Sequence, residues 1–237
     1  KDEKKAVLKT VLESNNSRVP VILGIGGNDT SEVISTLKTT DLAGVYAILS
    51  VSPYYNKPNQ EGIFQHYKAI ASATPLPIIV YNVPGRTAKN MDPETTLRLA
   101  HDFKNIVGVK EAGNNMQQYY ALLKDKPADF LVISGDDDLA LGVVLAGGSG
   151  VISVIGQGLP KDFSEMIQLG LKNDVIEANR LHYKIMDSID YIFEECNPSG
   201  IKALLQKQAI CSSNVRLPLV KATEKLEQKL IKFIDNY

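Results

Sequence analysis

Residues 105–112 read NIVGVKEA, an apolar stretch, Ile106-Val107-Gly108-Val109, that runs directly into Lys110 and Glu111. Apolar and β-branched without polar alternation, such a run describes a strand buried on both faces, the kind found in parallel sheets covered by helices. Similar runs precede and follow it: VPVILGIG (19–26), GVYAILSV (44–51), LPIIVYNV (76–83), DFLVISGD (129–136) and GVISVIG (150–156). Between them lie helix-like stretches, TSEVISTLKTT (30–40), NQEGIFQHYKAIASAT (59–74), DPETTLRLAHDF (92–103), NMQQYYALLKDK (115–126) and DDLALGVVLAGG (137–148), several opening on a capping residue type. The repeat is β-α, which predicts an α/β fold with a parallel sheet.

After the sixth run the pattern is helical only, over 161–172, 174–195, 198–210 and 219–236, with no Gly/Ser-rich or Pro-rich linker before it. The chain therefore divides into a strand-bearing part, 1–160, and a C-terminal helical domain, 161–237. The first residues, KDEKKAVLKTVLESNN, form an amphipathic helix with Ala6, Val7, Val11 and Leu12 on one face. A helix before the first strand implies a further strand upstream. A (β/α)8 barrel needs eight strands, so about six of eight are present, and a preceding segment of two βα units, about 60 residues for a barrel of ordinary size, is expected.

Composition sets outer bounds. The 237 residues are 44% hydrophobic and 22% charged with a formal net charge of -1, so no global field draws the chain to nucleic acid or anionic lipid. No apolar run is long enough to span a membrane. Cys196 and Cys211 lack zinc-ligand or disulfide-framework spacing, which suits a reducing cytoplasm.

In parallel α/β folds functional groups collect at the carboxyl ends of strands. Those positions read GGND, SPYYNKP, YNVPGRT, VKEAGNN, SGDDD and VIGQG. Lys110 is the sharpest feature. Partial desolvation at such a place lowers an amine's pKa and supplies a nucleophile for a ketone; pairing with Glu111 or Asp136 is the structural alternative. Tyr81 ends a strand where its hydroxyl can shuttle protons. Arg86 follows the rigid Pro84-Gly85 turn and suits a carboxylate, or is a surface arginine. Tyr54 and Tyr55, between prolines, suit an interface. GIGGND (24–29) lacks dinucleotide-binding spacing and reads as a tight turn into a helix capped by Asn28 or Asp29. SGDDD (134–138) has no histidine near it and reads as helix capping, with no metal site.

Taken together and in order, SPYYNKP, YNVPGRT, GVKEA, SGDD and GVISV resemble the 4-hydroxy-tetrahydrodipicolinate synthase family, formerly dihydrodipicolinate synthase, over residues 1–160 and more loosely beyond. The resemblance implies a TIM (β/α)8 barrel with a C-terminal helical extension and a homotetramer built as a dimer of dimers. It implies Lys110 as the Schiff-base lysine, Tyr81 as its proton donor and acceptor, and Tyr55 as a relay into a neighbouring subunit. Arg86, Ile152 and Gly135 would bind substrate. Gly26, Asn28, Glu32 and Tyr54 match the positions at which lysine-inhibited members bind lysine. The implied substrates are pyruvate and L-aspartate 4-semialdehyde, with no cofactor, because the lysine is the electron sink. The family's Gly-Thr-Thr-Gly-Glu loop does not occur in this chain, and its expected place is before Lys1. N-acetylneuraminate lyase and keto-deoxy-sugar aldolases share the lysine and tyrosine; Arg86 favours the dipicolinate branch. A catalytically silent homologue is the reading from another class.

Overall fold

The computed structural model describes residues 2–237. The chain divides into two compact units, Lys1–Ile133 and Ser134–Tyr237. The first holds α1 (Asp2–Asn15), β1 (Ile22–Gly24), α2 (Thr30–Thr39), β2 (Ala47–Val51), α3 (Gln60–Ala73), β3 (Ile78–Asn82), α4 (Pro84–Thr87), α5 (Pro93–Asp102), β4 (Ile106–Glu111) and α6 (Met116–Asp125), and ends within β5 (Leu131–Ser134). With β6 (Gly150–Val151), six strands among the described residues lie side by side in chain order. The pairs β1–β2, β2–β3 and β3–β4 are parallel. A doubly wound sheet reverses its strand order at a switch point, whereas an unbroken sequential order is the winding of a barrel. The fold is α/β, six strands of a (β/α)8 barrel followed by a helical extension.

The strands form where expected because their residues are apolar toward both layers: Ile48, Ile78, Val80 and Val109 are fully buried. Helix starts follow local chemistry. Asp29 accepts from the Ser31 amide at 2.8 Å to begin α2, and Asn59 accepts from the Gly62 amide at 2.8 Å to begin α3. Helix α1 departs from its expected face. Val7 is 63% and Val11 44% exposed, and Leu8, Leu12 and Asn15 are its half-buried residues. Leu12 packs over Gly44, whose φ of +80° suits glycine and whose missing Cβ would stand 3.2 Å from a Leu12 methyl.

The second unit holds α7 (Ala140–Leu145), β6, a 3-10 turn (Ile155–Gln157), α8 (Pro160–Leu171), α9 (Val175–Glu194), α10 (Ser199–Lys207) and α11 (Glu224–Asp235). Its core joins Leu141, Ile155, Met166, Ile185, Leu204 and Leu226, each such side chain contributing ~1.5–3 kcal/mol on burial. The last strand is shorter than its apolar run, 150–156, because the Asp137 carboxylate takes the amides of Val154 at 3.0 Å and Ile155 at 2.8 Å and turns the chain. Within SGDDD, Asp138 Oδ1 accepts from the amide of Leu139, the residue before α7, at 3.0 Å. Asp137 holds the two amides at the entry to the 3-10 turn.

Candidate active site

Lys110 is the fifth of six residues in β4, and Tyr81 is the fourth of five in β3. They are register partners, so their side chains leave the same face of the sheet. The Lys110 amine lies 4.2 Å from the centre of the Tyr81 ring. Both are half-buried beside fully buried strand neighbours. An amine and a phenol held this close suit carbonyl addition with proton transfer, and the ring face also attracts the protonated amine.

An irregularity in β4 sets this pairing. Ile78 pairs with Ile106, but Ile79 pairs with Gly108, so Val107 is an extra residue. A bulge shifts side-chain phase by one. Without it Tyr81 would oppose Val109, and Lys110 would lose its place opposite the tyrosine. Gly108 is required beside the bulge: a Cβ there would stand 2.8 Å from both the Cβ and the carbonyl oxygen of Leu131 in β5.

Strand alternation places Asn82 and Glu111, the next register pair, on the other face. Asn82 is fully buried and Glu111 is 1% exposed. Asn82 Nδ2 donates to both Glu111 carboxylate oxygens, at 3.0 and 2.9 Å, and Gln118 Nε2 of α6 donates to one of them at 2.8 Å. The Tyr119 hydroxyl donates to the Glu111 carbonyl. Asn90 joins the group, accepting from Asn82 at 2.8 Å and donating to Gln118 at 2.9 Å. None of these five was singled out from sequence as functional. The signal was present in the pairs YN and KE, each a site residue followed by a polar one inside an apolar strand, where a buried position demands partners.

Arg86 lies in α4, exposed, in the turn that Pro84 opens. Tyr55 is 84% exposed, with φ +71° in the left-handed region. A non-glycine residue there carries strain of the sort found at functional loops. Next to it, Asn56 Nδ2 donates to the Asn28 carbonyl at 3.0 Å, tying the Tyr54–Tyr55 loop to the GGND turn. Tyr54 and Glu32 are exposed, and Asn28 is half-buried. Gly26 has a steric reason of its own: a Cβ would lie 2.8 Å from the Val51 amide nitrogen. Behind this turn His66 of α3, 4% exposed, meets the Thr30 hydroxyl through Nδ1 at 2.8 Å. Burial pulls its pKa down to about 4. In the second unit, Gly135 follows Ser134, whose carbonyl accepts from the Ile152 amide at 2.9 Å. Among the described residues no group of His, Cys, Asp and Glu could hold a metal ion, and no helix is long and apolar enough to cross a membrane.

The family model for the dihydrodipicolinate synthetase family matches residues 1–237. The chain belongs to that family. The 4-hydroxy-tetrahydrodipicolinate synthase of Flavobacterium psychrophilum is 58% identical over 229 residues, which are 97% of this chain and 78% of that protein. A dihydrodipicolinate synthase structure from Thermotoga maritima superposes with a TM-score of 0.97 at 38% identity, covering 100% of this chain and 81% of that one. The enzyme from Acinetobacter baumannii, solved in complex with pyruvate, gives 0.94 at 39% identity over 99% of this chain and 80% of that one. Within the family this chain is a lyase of the 4-hydroxy-tetrahydrodipicolinate synthase kind, a member of lysine and diaminopimelate biosynthesis.

Proposed function

We propose that the enzyme condenses pyruvate with L-aspartate 4-semialdehyde through a Schiff base on Lys110. The observation that carries this is the Lys110–Tyr81 register pair, amine 4.2 Å from the ring centre, at the carboxyl ends of β4 and β3. The neutral Lys110 amine adds to the pyruvate ketone. Tyr81 returns a proton to the carbinolamine oxygen, and water leaves to give the iminium. Tyr81, now deprotonated, takes a C3 proton to give an enamine; the enamine carbon attacks the semialdehyde carbonyl, and the new alkoxide takes the proton back from Tyr81. The amine of the second substrate then displaces Lys110 as the ring closes, which regenerates the enzyme.

The other roles follow from the family resemblance. Arg86 takes the carboxylate of the second substrate, supported by its exposed position in the α4 turn. Ile152, through its backbone, and Gly135 are substrate-binding residues on the same resemblance. Tyr55 serves a neighbouring subunit's site within a tetramer, a reading supported by its exposed, strained loop. Gly26, Asn28, Glu32 and Tyr54 form a lysine-inhibitor site, supported by the Asn56–Asn28 tether that joins the two loops. Among the described residues every strand lies before residue 160 and each element from Pro160 onward is helical, which supports a barrel part, 1–160, and a helical domain, 161–237. A cytoplasmic location fits these substrates.

Borohydride reduction in the presence of pyruvate tests the central step. The expected product is one pyruvate-derived adduct per chain, mapped by peptide mass spectrometry to Lys110, with turnover of the semialdehyde and none of N-acetylneuraminate. No adduct, or an adduct elsewhere, overturns the proposal.

A further inference from the structure

We infer that Glu111, held by Asn82 and Gln118, is a positioning residue for Lys110 and Tyr81, acting from the face of the sheet opposite the chemistry. The inference rests on the Lys110 reading above. The site pair, Tyr81 and Lys110, and the polar pair, Asn82 and Glu111, are consecutive rungs of one β3–β4 ladder. Whatever fixes the second rung fixes the height and spacing of the first, because one peptide unit separates them on each strand.

The fastening is built for that purpose in three ways. Asn82 Nδ2 spans both Glu111 oxygens at 3.0 and 2.9 Å, a side-chain bridge directly between β3 and β4 that the backbone ladder does not supply. Gln118 and Tyr119, adjacent on α6, seize the Glu111 carboxylate and carbonyl, so α6 also registers against the residue next to the lysine. Asn82 Oδ1 accepts from the Met91 amide at 3.0 Å, and Asn90 links Asn82 to Gln118, which closes the network around buried groups. A carboxylate is an expensive way to fill a buried position unless its location matters. The bulge at Val107 makes location matter here, since it places β4 one residue out of phase just before Lys110. Polar groups with fixed partners hold such a register where interchangeable apolar contacts allow slippage.

The test compares Glu111→Gln, Asn82→Asp and their double exchange in the full-length enzyme, at a temperature where each is folded by circular dichroism. Glu111→Gln sets an N–H against the Asn82 N–H, and Asn82→Asp sets two carboxylates together. The double exchange restores a carboxylate facing an amide with the roles reversed. Each single variant is expected to lower kcat and the rate of pyruvate trapping at Lys110 by about 10–100-fold, the penalty for small displacement of a reacting group. KM for pyruvate should stay within about threefold. The double exchange should regain at least tenfold of the loss, which a general loss of stability would not produce. If Glu111→Gln does not fold, Gln118→Met removes one of the three N–H bonds and should still slow trapping by about fivefold. Single variants with undiminished kcat and trapping, or a double exchange no better than the worse single, overturn the inference. Absence of a pyruvate adduct in the unaltered enzyme instead overturns the Lys110 assignment, and the anchor with it.

Discussion

Lys110 and Tyr81 face each other across the β3–β4 ladder, with the amine 4.2 Å from the ring centre. Their roles separate on mutation. Lys110→Ala should abolish both the pyruvate adduct and turnover. Tyr81→Phe keeps the ring beside the amine but removes the proton carrier, so the adduct should still form while kcat falls by about 10²–10⁴-fold. Single-turnover trapping beside steady-state rates measures both. A Tyr81→Phe enzyme of normal kcat would remove the tyrosine from the mechanism.

Arg86 projects from a short helix and is exposed. Charge-assisted bonds to a carboxylate contribute about 1.5–3 kcal/mol. Arg86→Ala should therefore lower kcat/KM for the semialdehyde by about 10–100-fold and leave the extent of pyruvate trapping unchanged. Equal losses toward both substrates would argue for a structural role.

Gly108 offers a stability test independent of chemistry. A methyl at this position meets Leu131 backbone and side chain at 2.8 Å, with no flexible side-chain tip to yield. Gly108→Ala should cost about 1–3 kcal/mol, the usual range for overpacking. Urea denaturation reports it; an unchanged midpoint would mean that β4 and β5 separate without cost.

His66 gives a pH dependence. Its folded pKa is about 4, below the unfolded value of about 6.5. Between these values the unfolded chain binds the extra proton, so stability is full above the higher value and declines as pH falls. The loss approaches about 3 kcal/mol below the lower value and is about 2 kcal/mol at pH 5. His66→Phe should remove that part of the decline. Matched denaturation curves at pH 7.5 and pH 5 for both proteins decide, and identical slopes would sink the assignment.

The alternation of apolar runs with helix-like stretches made the α/β fold readable, because strands buried on both faces are apolar throughout. Element ends were less readable. GVISVIG has strand composition throughout, yet Asp137, seventeen residues before Val154, ends the strand after Val151. Composition carries no trace of that bond. Lys110 and Tyr81 stood out because each breaks an apolar run. Their alignment depends on a bulge at Val107, and neither spacing nor propensity distinguishes that valine from its neighbours. The anchor beneath them was hidden for a related reason: Gln118 and Asn90 look like ordinary surface amides until strand parity brings them to Glu111.

Gly26 is held as glycine by the Val51 amide nitrogen 2.8 Å from where a Cβ would stand. In the lysine site proposed above, side-chain changes therefore belong at Asn28, Glu32 or Tyr54, whose side chains are at least partly open to solvent. Libraries that probe the proposed lysine site would be best spent on those three codons, with codon 26 left fixed.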